Sequence, residues 1–186
     1  MRKQIIEYSF LVMAMFLSLF SCTKEVDFDQ ADDLEITPVV TSSLIFFDEP
    51  IKSFLLNGVE IPPVIDHVDV EIFNEQFVVD NLVKAEFVFE TTNTINKEFQ
   101  IEVRFLNDAG TELHAFSVLG ASSTDGSEVT RDYTEELVGD KLEALKNTTR
   151  MEFILSLLPG GDVNQNRDGR IKIKSHGIFY FKIGDL

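Results

Sequence analysis

The sequence predicts an all-β fold: a two-sheet antiparallel sandwich, immunoglobulin-like or jelly-roll-like, with one short helix insertion. Two observations lead to this class. Apolar and polar residues alternate along several segments, as they do in strands with one buried face. Only one segment shows the apolar spacing of a helix. We therefore expect one domain of paired strands around a shared core.

The strand predictions rest on apolar residues at every second position. The alternation is strictest at 85–89, 99–105, 151–157 and 171–173. Further strands are expected at 39–47, 68–73, 76–79 and 111–118. The stretch 107–110, Asn-Asp-Ala-Gly, is typical of a hairpin connection. Gly177 and an expected change of phase around it indicate a β-bulge in the last strand.

One segment, near 133–146, favours a helix. Asp132 and Glu135 have the spacing of an N-cap and its capping-box partner. Val138, Leu142 and Leu145 follow at i, i+4 and i+7. The prediction is a single helix across an edge or an end of the sandwich.

The N-terminus has the pattern of a signal peptide, which we assign to residues 1–21. Arg2 and Lys3 precede an apolar run over 10–20 that only Ser18 interrupts. A membrane-spanning helix needs about 20 apolar residues, so this run is too short to favour a transmembrane anchor. Cys22, which is the one cysteine of the chain, follows directly.

The stretch Leu19-Phe20-Ser21-Cys22 resembles the lipobox of bacterial lipoproteins, although Phe20 stands where a smaller residue is usual. The resemblance implies that Cys22 becomes the acylated first residue after cleavage and holds the protein on a membrane. Acidic residues soon after Cys22 also resemble the export signal of surface lipoproteins in Bacteroidota. This likeness implies an outer-membrane location, on either the cell surface or the periplasmic face.

The charge of the chain limits its partners. The whole sequence has 16 basic and 32 acidic residues, and removal of Arg2, Lys3 and Glu7 with the signal peptide leaves 14 and 31. Nucleic-acid binding is excluded, because it depends on basic residues that neutralise phosphates. Residues 22–36 are strongly acidic and predict an extended tether, which leaves 37–186 as the β-sandwich domain.

The loop after residue 159 offers a candidate metal site. Oxygen-bearing side chains alternate there, followed by Gly169, at Asp162, Asn164, Asn166 and Asp168. This spacing resembles the first half of a calcium-binding EF-hand loop. Ser175 nevertheless stands where that motif has its bidentate Glu, and the flanks predict strands. A hairpin loop of turn-forming residues is the favoured interpretation, with calcium as the alternative.

No catalytic constellation emerges from the sequence, so we expect no enzyme and no other cofactor. His67, His114 and His176 are too far apart for metal-ligand spacing, and no Gly-x-Ser-x-Gly is present. The function expected is a lipid-anchored, non-enzymatic module for protein binding or assembly in the cell envelope. Capture of surface glycans, with calcium ordering the 162–168 loop, is the alternative. An exposed Phe row (Phe46-Phe47 or Phe54) would favour a protein partner, and a groove lined by Tyr180 would favour a sugar.

Overall fold

The computed structural model describes residues 35–163 and 168–184. Most of them form antiparallel strands in two four-stranded sheets, which confirms the all-β sandwich. The first sheet has the order β1-β10-β5-β8 and the second the order β4-β9-β6-β7. The strands of the first sheet are β1 (Val39–Pro50), β5 (Leu82–Asn93), β8 (Val129–Leu137) and β10 (Arg170–Phe181). Those of the second are β4 (Val64–Asp69), β6 (Phe99–Leu106), β7 (Glu112–Gly120) and β9 (Arg150–Leu157). A small hairpin, β2 (Leu55–Leu56) with β3 (Val59–Glu60), connects β1 to β4.

The topology is that of a jelly roll rather than an immunoglobulin domain. If the eight long strands are numbered in chain order, the first pairs with the eighth and the third with the sixth in one sheet. The second pairs with the seventh and the fourth with the fifth in the other sheet. This nested pairing is what results when one long antiparallel ribbon is rolled into two facing sheets.

The core lies between the two sheets and is rich in phenylalanine. Phe87 and Phe89 of β5 face Phe105 of β6 and Phe116 of β7, with Phe87 and Phe105 meeting edge to face at 5.8 Å between ring centroids. Burial of each such side chain contributes about 1.5–3 kcal/mol. Period-two alternation in β5 and β6 therefore places one apolar row of each strand in the core, as the sequence predicts.

In the described part of the chain two short α-helices accompany the sheets, and both differ from the sequence-based expectation. Helix α2 spans Asp140–Lys146, so only the second half of the predicted 133–146 helix is helical. Residues 133–137 continue β8, because Tyr133, Glu135 and Leu137 alternate inward and β8 pairs with β5. Gly139, with φ of +54°, separates the strand from the helix. Asp132 and Glu135, which have the spacing of a capping box, therefore lie in a strand that pairs with β5 and do not begin a helix.

The other helix, α1, spans Gln76–Asn81, where the sequence predicted a strand at 76–79. The strand expected at 68–73 instead runs over Val64–Asp69, and a 3-10 turn follows at Glu71–Asn74. The alternation that suggested strands here comes from Phe73 and Val78, which are buried from a turn and a helix respectively. No helix in the described part of the chain is long and apolar enough to span a bilayer.

A bulge is present, but it lies in β1 and not in β10. Leu44 and Ile45 together oppose Ser175, whose hydroxyl accepts a hydrogen bond of 3.0 Å from the backbone N–H of Ile45. Strand β10 keeps its phase through this region, with Ser175 and Gly177 both facing inward. A Cβ on Gly177 would lie 2.7 Å from Cζ of Phe179, so the glycine makes room for that ring. The close approach of the ring, rather than a bulge, explains the glycine.

Candidate functional site

An apolar groove opens at one side of the sandwich, between the edge strands β1 and β4. Its volume is about 550 Å³. Its floor is made by inward-facing side chains of the two strands next to the edges: Met151 and Phe153 from β9, and Phe179 and Phe181 from β10. The groove exists here because β1 and β4 belong to different sheets and neither pairs with the other.

The walls of the groove come from the edge strands and from the turn and helix after β4. The lining side chains of the walls are apolar or small: Pro38, Val40, Ser42, Ser43, Leu44, Val68, Val70, Ile72, Phe73, Phe77 and Val78. Phe73 packs on Phe179 at 5.6 Å between ring centroids, and Phe77 stacks on Phe181 at 5.7 Å. Ile72 and Phe77 nevertheless remain 64% and 54% exposed. A contiguous apolar surface of this kind is typical of an interaction site.

Among residues 35–163 and 168–184, strand β1 presents an unpaired edge along this groove. Ile36 and Pro38 hydrogen-bond to the segment containing β10. Because the hydrogen-bonding direction alternates along an antiparallel strand, Val40 and Ser42 also face β10. Val39, Thr41 and Ser43 therefore direct their backbone N–H and C=O groups away from the sheet. Within the described residues, no strand other than β10 pairs with β1.

The first nine residues of β1, 39–47, are unusual because they carry no charge, and Asp48 and Glu49 follow only at the end of the strand. No charged residue occurs between Glu35 and Asp48, in a chain with 26% charged residues. The side chains along this edge are also exposed: Val39 by 56%, Val40 by 49% and Phe46 by 71%. Proteins usually protect an edge with charges, proline or a covering element, since a bare edge is a template for pairing. Residues 39–47 of β1 have no charge to protect them, and Asp48, near the end of the strand, is already paired with Arg170.

The other edges of the sandwich are protected. Strand β4 carries Asp66 and Asp69, and Asp69 pairs with Arg150 at 3.1 Å. Strand β8, on the opposite edge of the sheet containing β1, carries charged residues at 131, 132, 135 and 136. Strand β7 begins at Glu112 and is contacted by helix α2. The contrast makes β1 the edge at which another strand could be added.

The rim of the groove is acidic. Glu71 and Glu75 flank the lining residues Ile72 and Phe73, are exposed, and form no ion pair among the described residues. Asp66 lies on β4, where its carboxylate accepts a hydrogen bond from the N–H of His67. The groove therefore combines an apolar interior with a negative border.

Tyr133 and Tyr180, the two tyrosines of the described residues, lie outside this groove. Tyr180 faces away from the core and donates a hydrogen bond to Glu86 at 3.1 Å, with Lys84 over its ring. Burial and the bond to Glu86 raise the pKa of Tyr180. Tyr133 stacks on Phe116 and donates to Glu135, and the pKa of Tyr133 is raised to about 12 by burial and by that bond. The aromatic side chains of the groove are all phenylalanines.

The Phe row named from the sequence is only partly exposed. Phe46 is 71% exposed on β1, whereas Phe54 is buried and packs on Phe47 at 6.0 Å between ring centroids. The exposed apolar surface instead includes Ile72 and Phe77, which were expected in strands. Their exposure follows from the turn and helix that the sequence pattern did not reveal.

The candidate calcium loop is described only at its two ends. Asn164 and Asn166 lie outside the described residues. Asp162 is exposed, and its backbone N–H donates to the carbonyl of Asn96 at 2.9 Å. Asp168 lines a depression of about 260 Å³ together with Glu128, Arg170 and Lys172. Within 35–163 and 168–184, no cluster of three His, Asp or Glu side chains could hold a metal ion.

Comparisons with known proteins place no functional constraint on the groove. The sequence matches no protein-family profile, and no curated protein is significantly similar to it. Cys22, the candidate acylation site, lies outside the described residues.

Several solved structures resemble the fold at low identity. One is a predicted secreted protein of Parabacteroides distasonis ATCC 8503, with 12% identity, a TM-score of 0.43, and coverage of 63% of this chain and 37% of that one. A second is the VP2 subviral particle of infectious bursal disease virus, with 10% identity, a TM-score of 0.41, and coverage of 77% and 32%. A third is the enzymatically active domain of tailspike protein 4 of bacteriophage CBA120, with 10% identity, a TM-score of 0.36, and coverage of 82% and 20%.

This chain thus spans well under half the length of each of these structures. At such identities and TM-scores, the similarity assigns no activity, substrate or partner to it.

Proposed function

We propose that this chain is a lipid-anchored protein of the cell envelope that docks a protein partner and has no catalytic activity of its own. The observation that carries the proposal is the uncharged, exposed part of the β1 edge, residues 39–47, beside the apolar groove. Leaving this much apolar surface in water opposes stability and favours aggregation. A partner that covers the surface would remove both costs.

The chemistry of the groove supports a protein partner over a sugar. Sugar faces are usually held by Trp and Tyr, whose rings also offer a polar edge. The chain has no Trp, and neither Tyr133 nor Tyr180 lines the groove. Phenylalanine and aliphatic side chains suit the apolar side chains of another polypeptide.

The anchoring part of the proposal rests on the sequence alone. Acylation of Cys22 would supply about 0.8 kcal/mol of membrane affinity per buried methylene group, and two signals or chains make such anchoring stable. The acidic residues that follow Cys22 favour an outer-membrane location, on the cell surface or on its periplasmic face. Cys22→Ser is expected to move the protein from the membrane to the soluble fraction, and unchanged fractionation would contradict the anchor.

The docking part can be tested with a photo-crosslinker in the intact envelope. p-Benzoylphenylalanine placed at Phe46 reports on the β1 edge, because this side chain is 71% exposed there. The same group at Leu119, which is 55% exposed on β7, is the matched control. We expect position 46 to crosslink a single protein in stoichiometric yield and position 119 to crosslink none.

The alternative outcomes of this experiment are distinct. If neither position crosslinks a protein, the docking proposal fails, and glycan capture should be examined with a glycan array in the presence and absence of calcium. If both positions crosslink many proteins equally, the surface has no specific partner.

A further inference from the structure

We infer that the partner binds by β-strand addition: an extended segment of another protein, with alternating apolar residues and basic flanks, pairs with β1 and inserts its side chains into the groove. This inference rests on the proposed docking function and specifies its ligand. Strand addition obtains affinity from main-chain hydrogen bonds and specificity from pockets for alternate side chains. The β1 edge offers both.

The main-chain part comes from three residues. Val39, Thr41 and Ser43 direct N–H and C=O groups to the free edge, because the even-numbered residues around them bond to the β10 side. The run ends at the bulge of Leu44 and Ile45. The straight part of the edge, residues 39–43, is therefore about 17 Å long at roughly 3.4 Å per residue. A partner segment of about five residues would cover it.

The side-chain part comes from the position of the groove relative to β1. An added strand would lie about 4.8 Å outside β1, on the side where the two sheets separate. Its inward side chains would then extend over Phe77 and Phe181, between Val40 of β1 and Val68 of β4. Every second residue of the partner should therefore be apolar, while the intervening residues face solvent.

The charge of the partner follows from the rim. Glu71 and Glu75 lie next to the groove-lining stretch that contains Ile72 and Phe73, and they have no ion pair among the described residues. The chain as a whole has a formal charge of −16. Lysine or arginine beside the apolar run would therefore strengthen binding and accelerate encounter. The same charge disfavours a second copy of this acidic chain as the occupant.

The test is a selection of random peptides on the full mature protein in detergent, with variants of one edge residue as the comparison. Thr41→Pro removes an N–H that faces the free edge, so it should block strand addition without breaking a bond to β10. Thr41→Lys adds a charge at the same place. The matched control is Thr130→Lys, since Thr130 is an exposed threonine on β8, at the other edge of the same sheet.

The expected result is a set of peptides that alternate apolar residues, carry Lys or Arg at their ends, and bind wild type and Thr130→Lys equally. Thr41→Pro and Thr41→Lys should lose at least about ten-fold in affinity, the equivalent of one or two main-chain hydrogen bonds. A selected peptide can be N-methylated either on its odd-numbered or on its even-numbered residues. Only one of these two sets of N–H groups faces β1, so one methylated peptide should lose binding and the other should keep it. This difference does not require the Thr41→Pro variant to fold.

Three results would overturn the inference. Peptides without alternation, or equal binding of the two N-methylated peptides, would show an apolar pocket without strand pairing. Binding of a fatty acid that Thr41→Pro does not change would indicate an acyl-chain site. A dimer of this chain that Thr41→Pro abolishes would make a second copy the occupant. None of these results decides whether a protein partner docks at all, because the crosslink from Phe46 tests that separately. The docking proposal and the strand-addition inference can therefore fail independently.

Discussion

The phenol of Tyr133 donates a hydrogen bond of 2.5 Å to Oε2 of Glu135, two residues further along β8. The other carboxylate oxygen accepts from Nζ of Lys141 at 2.7 Å and lies 3.1 Å from Nε2 of His114. Glu135 is only 6% exposed, so these partners replace the water it has lost. The cluster joins β7, β8 and the start of α2.

Glu135→Gln should destabilise the protein by about 2 kcal/mol. The amide keeps the size of the side chain but loses the charge that Lys141 and Tyr133 pair with, and hydrogen bonds to a charged group contribute roughly 1.5–3 kcal/mol. Urea unfolding followed by circular dichroism measures the difference. Glu136→Gln is the matched control, because that neighbouring glutamate of β8 is 55% exposed and its pair with Lys84 lies at the surface, so its loss should cost less than that of Glu135. Equal stability of Glu135→Gln and wild type would contradict a stabilising role for the cluster.

The same carboxylate should make stability depend on acid pH. Burial raises the pKa of Glu135, but the hydrogen bonds from Lys141, Tyr133 and His114 outweigh burial and lower it overall. A lowered folded-state pKa contributes stability that is complete above the unfolded value of about 4.3 and is lost as the pH falls through the folded value.

We therefore expect wild type to lose stability more steeply than Glu135→Gln below about pH 4, where glutamates of the unfolded chain take up protons. Urea midpoints measured across that range give the two slopes. Parallel curves for the two proteins would mean that other carboxylates, such as Glu86, dominate the acid response.

Gly177→Ala should destabilise the protein by about 1–3 kcal/mol, the usual cost of an overpacked core. Its Cβ would lie 2.7 Å from Cζ of Phe179, and that ring is held against Phe73 and Phe87. Gly184→Ala is the control, since nothing lies within 4 Å of its Cβ position. Thermal unfolding of both variants measures the difference. Addition of Phe179→Leu to Gly177→Ala should recover part of the loss if the ring is the cause.

Calcium should leave the melting temperature unchanged. Asp168 shares its depression with Glu128, Arg170 and Lys172. Two cations there offset two carboxylates, so the depression has no excess of negative charge to attract a divalent ion. Thermal unfolding with EDTA and with added calcium tests this expectation. A melting temperature that EDTA lowers in wild type but not in Asp168→Ala would instead establish the calcium site at Asp162, Asn164, Asn166 and Asp168.

The sequence predicted the parts of the fold that alternate strictly. Strands β5, β6, β9 and β10 have one apolar row and one polar row, so period two alone identified them. The prediction was wrong at 133–137, because Glu135 occupies an inward position and made the buried face of β8 look polar. It was wrong at 76–79 because the apolar residues there pack from a helix only six residues long.

The groove could not be predicted from the same patterns. The uncharged stretch up to Phe47 suggested a strand correctly, but an apolar strand without charge usually lies in the middle of a sheet. Its position at an edge follows from the pairing of the first long strand with β10, which local sequence does not encode. The exposure of Phe77 likewise depends on where α1 lies relative to both sheets.

The pairing of β1 with β10 also has a consequence for the order of folding. Ile45 and Ser175, which meet at the bulge, are 130 positions apart in sequence. Contacts between such distant residues form slowly, because the intervening chain must first be brought into a closed loop. A chain synthesised from its N-terminus would thus present β1 early and provide its neighbour late. Throughout that interval both edges of β1 would be unpaired, and a chaperone that shields its uncharged residues 39–47 would raise the yield of folded protein.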